Sequence, residues 1–284
     1  MLADVLGLLA CPHCGLGLNL AGPSARCATG HTFDLARQGY LSLLAGDAGA
    51  GTGDTAAMVA ARADFLGAGH YRPIGAAIAE ALGGPVSGPV VDLGAGTGHY
   101  LAEVLDQSPA AVGLALDLSK FALRRAARAH PRAGAVVCDA WRGLPVRDGV
   151  AAVLLNVFAP RNGPEMARIL APGGRLVVVT PETGHLGALV DELGLLRVDA
   201  DKGRRVDEQL GAHFTQVGEI RRRFRLGLSR TEVATVVSMG PNAWHTDPAE
   251  LAGRIAALPE PYAVSAQVRV GVYRSTGPAR NVPG

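Results

Sequence analysis

Three of the chain's four cysteines and one histidine stand together near the N-terminus: Cys11, Cys14, Cys27 and His31 in CPHCGLGLNLAGPSARCATGH. The spacing C-x2-C-x12-C-x3-H places paired ligands on two tight turns that a short hairpin can join, which suits tetrahedral zinc. Gly15 and Gly30 flank the pairs and permit the positive φ such turns often need. Thiolates and imidazole select zinc over magnesium or calcium. Two disulfides would need a fourth cysteine here and an oxidising compartment. A thioredoxin-like CxxC would need a strand-to-helix junction, which this pattern lacks. With all four positions filled by protein the site reads as structural, and a module this small should unfold without metal. His13, between two ligands, should face solvent, and Cys138, in an apolar run, should be core.

A second chemistry-bearing stretch is GPVVDLGAGTGHY, Gly88 to Tyr100. An apolar strand ends in Asp92, then come Gly94, Gly96 and Gly98, and a helix follows. Glycines there let the backbone approach a ligand at a helix N-terminus. The dinucleotide fingerprint would need glycine where the chain has His99. D-x-G-x-G-x-G instead resembles motif I of class I S-adenosylmethionine methyltransferases. AVGLALD ends in Asp117, where a carboxylate can accept both ribose hydroxyl protons. AVVCD ends in Asp139, placed to receive the adenine amino group, with Ala140 and Trp141 beside it. VAAVLLNVFAP is a fourth strand ending near Asn156; ILAPGGRLVVVTP reads as a helix end, a turn and a fifth strand. A ligand belongs in the crevice at the carboxyl ends of these strands.

The elements that must position these groups are legible between them. The Gly-rich stretch Ala45–Thr55 reads as a linker and lacks the Gly-Lys-Ser/Thr of a P-loop. Asp54 or Thr55 caps a helix carrying Met58, Ala61 and Phe65 to a stop at Gly69. The GHYRP corner opens a second helix, Ile74 to Leu82, and on residue type alone Tyr71 in that corner reads as packing. RRRFRLGLSR alternates, with Arg221, Arg223 and Arg225 on one strand face and Arg222 and Phe224 on the other. Eight basic residues against three acidic ones stand between Lys202 and Arg230. The surplus fits a phosphate-contacting patch and equally a solvated sheet edge blunted with charge. Ser229 to Glu232 forms a capping box, Asp247-Pro248 opens another helix, and VSAQVRVGVYR closes the sheet.

Length and composition fit one ordinary domain plus a small module: 284 residues, 48% hydrophobic, formal charge +2. That content supplies a core and excludes a disordered chain. Net charge alone implies no partner. No apolar run approaches a membrane span of about 20 residues. MLADVLGLLAC imitates a lipoprotein cleavage site, yet has no basic residue before its apolar stretch and carries Asp4. A cytoplasmic location with no membrane partner is expected.

The zinc quartet, GDTAAMVAARADFLGAGHYRP, VDLGAGTGHY and the Thr180–Leu186 TP…HL pair together resemble the bacterial 23S ribosomal RNA guanine-N1 methyltransferases. Some members confer resistance to tylosin and related macrolides. The likeness covers nearly the whole chain in order. It implies an α/β fold: a class I, Rossmann-like methyltransferase domain with a seven-stranded mixed sheet over residues 85–276. A zinc-binding, RNA-recognising module over 1–44, a connecting region over 45–84 and a loose tail over 277–284 complete the expected organisation. It implies S-adenosylmethionine and one structural zinc as cofactors, and methyl transfer to guanine N1 in a 23S rRNA hairpin loop near the peptide exit tunnel. The resemblance favours the guanine(748) type over guanine(745). It makes Tyr71, Tyr100, Leu101 and His185 cofactor contacts beside Asp92, the three loop glycines, Asp117, Asp139 and Asn156. Asn156 and His185 are the catalytic candidates, and Arg221, Arg223 and Arg225 the RNA-contacting ones. Some relatives carry a basic residue before the apolar-aromatic-Ala-Pro run, where this chain has NVFAP. A homodimer, in which two zinc modules form a cleft for RNA, is compatible with the sequence. Two other functions fit parts of the pattern: a small-molecule methyltransferase, which would turn over without RNA, and a non-enzymatic zinc RNA-binding protein, which would not bind the cofactor.

Overall fold

The apolar runs after Gly88 are short and rich in valine and alanine, and they become buried strands, most of them separated by a helix. The computed structural model describes residues 2–44, 53–195, 202–240 and 247–277, with backbone only at 202–205 and 207. Residues 45–52 of the expected linker and the tail from 278 lie outside the described residues. The N-terminal region holds α1 (Leu2–Val5), a 3-10 turn (Leu6–Leu8), β1 (Leu18–Ala21), β2 (Ser24–Cys27), β3 (Thr32–Asp34) and β4 (Tyr40–Ser42). Two helices follow, α2 (Ala56–Gly67) and α3 (Arg72–Leu82). The alternating region is β5 (Gly88–Leu93), α4 (His99–Asp106), β6 (Ala111–Asp117), α5 (Lys120–Ala126), β7 (Ala133–Val137), β8 (Ala151–Val157), α6 (Gly163–Ile169) and β9 (Leu170–Pro181). The chain closes with α7 (Gly187–Leu193), α8 (Lys202–Gly211), β10 (Phe214–Leu228), α9 (Arg230–Ser238), α10 (Pro248–Ala256) and β11 (Tyr262–Ser275).

Local chemistry sets the helix starts. Thr55 Oγ1 accepts from the Met58 N–H at 3.2 Å, which caps α2. Ser229 and Glu232 form the reciprocal capping box of α9, and Asp247 caps α10. Glu232 also meets His70 Nε2 at 2.8 Å, so the corner between α2 and α3 is tied to the start of α9.

The main sheet runs β10-β11-β9-β8-β5-β6-β7-β4. The strands from β9 to β4 are parallel, and β11 lies antiparallel between β9 and β10. The sheet therefore has eight strands where seven were expected. The extra one, β4, comes from the N-terminal region and pairs Tyr40–Ser42 with Ala135–Val137 of β7. Three residues with one buried leucine carry no strand signal of their own; the open edge of β7 makes them a strand. The expected turn at Pro172-Gly173-Gly174 is also absorbed: β9 runs unbroken from Leu170, with a register irregularity opposite Ala151/Val153.

One face of the sheet is covered by α2 to α5, α7, α9 and α10, the other by α6, α8 and the N-terminal region. No helix spans the connection from β7 to β8. α1 fills that place, pressed so closely on β7 that a Cβ on Gly134 would overlap Val5. Leu9 bridges to Val146 of the same connection. Among the described residues, no helix is long and apolar enough to cross a membrane.

Candidate cofactor crevice and metal centre

The β1–β2 hairpin and the turns around it bring Cys11, Cys14, Cys27 and His31 together, with ligand atoms all within 4.8 Å of one another. Cys14 and Cys27 Sγ are 3.7 Å apart, and His31 Nδ1 lies 3.5 Å from Cys11 Sγ and 3.4 Å from Cys27 Sγ. Tetrahedral zinc with bonds of about 2.3 Å to sulfur and 2.0 Å to nitrogen requires edges of roughly 3.5–3.8 Å. The donor set therefore fits zinc in kind and in size. Partial desolvation opposes it, but hydrogen bonds from Thr29, Cys14 and His31 bring the Cys27 thiol down to about 5, toward the thiolate that ligates metal. Thr29 Oγ1, 3.1 Å from Cys27 Sγ and 3.2 Å from Cys14 Sγ, is a supporting group that the ligand spacing did not reveal. His13 is exposed and its ring packs on Phe33, while Cys138 is buried.

The chain passes from β5 to β6 and β7 on one side, then returns to β8 on the other. That reversal opens a crevice above the carboxyl ends of β5 and β8. Gly94 and Gly96, on the loop leaving β5, have φ of +77° and +54°, which side-chain-bearing residues rarely adopt. A Cβ on Gly94 would overlap the Ala159 methyl, so the loop lies directly against the turn that ends β8. Gly98 shares that left-handed backbone, at φ +77°, and is also packed: a Cβ would meet Ala126 and Ala129 at 3.1 Å. The Gly96 N–H donates to Asp117 Oδ2 and the Ser119 N–H to Oδ1, both at 2.8 Å. Burial raises the Asp117 carboxyl, and those two N–H groups counter it.

Asp92 is fully enclosed; burial first, and the Asp117 charge second, push it up to about 8. Its Oδ1, Tyr100 Oη and Asn156 Oδ1 are buried without a hydrogen-bond partner among the described residues. Three buried polar atoms around the glycine loop therefore lack a partner within the described protein. With the loop glycines and the Asp117 carboxylate, the crevice fits a nucleoside carrying cationic groups. Leu101 is core, 1% exposed. Asp139 follows β7, and its Oδ1 accepts from the Trp141 N–H at 2.9 Å; the Trp141 ring is 66% exposed at the rim.

Asn156 is wholly buried, and its Nδ2 donates to the Leu93 carbonyl at 3.2 Å and the Pro160 carbonyl at 2.8 Å. The side chain thus bolts the Phe158–Pro160 turn to the end of β5. Phe158 sits on that turn at φ +53°, a conformation that costs an ordinary residue about 1–3 kcal/mol, with its ring 42% exposed. Nearby, burial keeps the Tyr71 hydroxyl protonated. It lies 3.1 Å from His185 Nε2, while His185 Nδ1 lies 2.9 Å from the Gln267 carbonyl. The Gln267 N–H also lies 3.2 Å from His185 Nδ1, so the backbone of Gln267 offers that nitrogen a donor as well as an acceptor and fixes the ring from one side. The Phe158 ring is 6.0 Å from that of His185 and 6.5 Å from that of Tyr71.

Arg221, Arg223 and Arg225 share the exposed face of β10, and Arg222 and Phe224 the half-buried one. Arg221 is committed to Glu219 at 2.7 Å and Glu182 at 3.6 Å. Arg223 and Arg225 have no ion-pair partner among the described residues. Arg223 pairs in register with Gln267, whose side chain donates to Gly184 in the loop that carries His185. The side chains of Lys202, Arg204 and Arg205 lie outside the described residues.

A parallel core reversed over a glycine loop, with one antiparallel strand set between β9 and β10, defines a class I S-adenosylmethionine-dependent methyltransferase; here it carries a zinc ribbon. Residues 90–174 match the family described as a methyltransferase domain, and residues 9–47 the zinc ribbon described as RlmA, N-terminal. A Streptomyces fradiae protein, 23S rRNA (guanine(748)-N(1))-methyltransferase, is 52% identical over 278 residues, covering 96% of this chain and 99% of that protein. A Micromonospora griseorubida protein with a provisional 23S rRNA (guanine-N(1)-)-methyltransferase name is 57% identical over 291 residues, covering 95% and 98%. Among solved structures, the complex of the Haloferax volcanii Trm112 methyltransferase activator with its provisionally assigned methyltransferase superposes with a TM-score of 0.51. It has 17% identity and covers 80% of this chain and 99% of that one, a likeness of fold. The chain belongs to the 23S rRNA (guanine-N1)-methyltransferase family.

Proposed function

We infer that this protein transfers a methyl group from S-adenosylmethionine to N1 of a guanine in a 23S rRNA hairpin loop, at the guanine(748) position named for its Streptomyces relative. The observation that carries the reading is the joining, in one chain, of a zinc ribbon and a glycine-loop crevice with an exposed aromatic at its mouth. When bound, the cofactor supplies a methyl already activated by the sulfonium charge. The chain's part is positioning. Asp117 holds the ribose hydroxyls, the Gly94–Gly98 loop admits the methionyl moiety, and Asp139 receives the adenine amino group. Tyr71 and His185, fixed by their mutual hydrogen bond and by Gln267, wall the far side of the crevice with Tyr100.

Guanine N1 carries a proton at neutral pH, and that proton must leave before or during attack. A carbonyl of the turn after Asn156 accepts a hydrogen bond from that N–H and aims N1 at the methyl, while the proton itself passes to solvent water, because an amide carbonyl is too weak a base to hold it. The Asn156 side chain, sealed in the interior, sets the turn in place, and His185 orients Tyr71. The base must be unstacked to enter, which a hairpin loop permits at low cost. Phe158 offers it a face: a strained, exposed ring beside the glycine loop. Arg223 and Arg225 contact the phosphates of the approaching strand. Such a reaction belongs in the cytoplasm, and resistance to tylosin-like macrolides is its proposed consequence for the cell.

Incubating the purified chain with labelled donor and 23S rRNA transcripts yields 1-methylguanine by nucleoside analysis. 7-Methylguanine, methyladenine, or turnover without RNA would refute the assignment. Phe158→Ala lowers kcat/KM for the hairpin about 5–150-fold, the worth of one base stacked on an aromatic, 1–3 kcal/mol. Donor affinity, read separately by calorimetry, should fall by less than this, since the ring only borders His185 and Tyr71 at 6.0 and 6.5 Å. Equal rates for the two proteins would remove Phe158 from the base site.

A further inference from the structure

One side chain crosses the glycine loop and has no task in the reading so far. Arg62, in the middle of α2, lays its guanidinium over Gly96: a Cβ there would lie 3.6 Å from Nη1 and 3.7 Å from Cδ. Nη2 donates to the Met239 carbonyl at 2.8 Å, and Nη1 forms an ion pair with Asp54. Asp54 is itself tied down, since Ser119 Oγ donates to its carbonyl at 2.7 Å, two residues after Asp117. Segments from three parts of the chain thus converge on one cation beside the loop.

Its position is electrostatically demanding. The loop runs into the N-terminus of α4, whose free N–H groups already carry partial positive charge. A fixed guanidinium is favourable there only if an anion lies against both. Asp92 is enclosed, and Asp117 accepts from two N–H groups. Asp54 is the direct ion-pair partner of Arg62, with Asp117 acting on it at longer range, and each partner of the pair keeps 27% side-chain exposure, so a solute can reach it. A carboxylate brought by a ligand can displace Asp54, because it gives Arg62 an equivalent partner in the same place. S-adenosylmethionine carries three charges around its reactive carbon: a sulfonium, an ammonium and an α-carboxylate. Of these three, Arg62 suits the carboxylate.

We propose that Arg62 anchors the α-carboxylate of the methyl donor, and that Asp54 is the internal placeholder it releases on binding. The proposal rests on the methyltransferase reading. α2 thereby becomes part of the cofactor site, and the Met-x-x-Ala-Arg run from Met58 to Arg62 acquires a chemical reason.

Decarboxylated S-adenosylmethionine, which keeps the sulfonium and ammonium and lacks only the carboxylate, tests the assignment. Calorimetry on the zinc-loaded full chain without RNA should show the donor bound at least tenfold more tightly than its decarboxylated form. Arg62→Met should weaken the donor at least tenfold, leave the decarboxylated compound unchanged and so erase the discrimination. Asp54→Asn, which removes the competing carboxylate, should tighten the donor alone. A wild-type chain that binds the two compounds equally overturns the anchor, as does an Arg62→Met chain that loses both to the same extent. If Arg62→Met does not fold, Asp54→Asn decides, and no gain for the donor overturns the proposal. A wild-type chain that binds neither compound overturns the methyltransferase reading and the anchor with it.

Discussion

Cys11→Ser strips the chain of its zinc and abolishes the cooperative melt of its N-terminal region. Cys11 is a ligand and also part of the core, 2% exposed, with its N–H on the Leu16 carbonyl at 2.7 Å. The region it anchors has three short strands and a few buried side chains. So little apolar surface cannot offset the conformational entropy of ordering it. A structural zinc in such a module binds with about 10–16 kcal/mol of apparent free energy, as much as whole domains have in stability. Serine cannot supply the thiolate, so most of that contribution goes. Metal analysis should find less than about one-tenth of the wild-type zinc, and wild-type protein treated with a strong chelator should behave alike. Acidification should release the metal too, because protons compete for the thiolates and the imidazole. One zinc per chain and an unchanged melt in Cys11→Ser would show that the quartet is not the metal site.

Asp117→Ala costs the donor at least about 100-fold in affinity, from the loss of two hydrogen bonds to a charged group at 1.5–3 kcal/mol each. Both its oxygens already take backbone N–H groups, one from the glycine loop and one from the cap of α5. The substitution therefore loosens Gly96 as well as removing the ribose partner. Asp117→Asn should fare little better, because its amide would turn a donor toward one of those N–H groups. Burial raises this carboxyl, so the charged form is lost at a higher pH than for an exposed aspartate. Donor affinity should fall as pH is lowered through that raised pKa, and stay level above it. An unchanged Kd for Asp117→Ala would remove it from the ribose site.

The metal quartet and the glycine loop were legible because their chemistry dictates local spacing: ligand pairs on turns, and glycines where a strand meets a helix. Helix starts were legible for the same reason, since Thr55, Ser229 and Asp247 act on N–H groups two or three residues on. What the chain does across long separations was not. β4 is a strand only because β7 offers it an edge. Arg62 looks like one arginine among many until Gly96, Asp54 and Met239 close around it. Thr29 gains meaning only when two sulfurs meet its hydroxyl. Phe158 is distinguished by a backbone angle, which no residue pattern announces.

The fit between Gly94 and Ala159 has a further meaning for how the two substrates are spaced. In the proposed reaction the shelf for the donor and the shelf for the base touch where a single methyl would not fit, and Asn156 locks the second to the strand beneath the first. The gap a methyl must jump would then be gauged by the protein interior before either substrate arrives. Tuning such an enzyme would mean altering its grip on the hairpin while the gauge stays as it is.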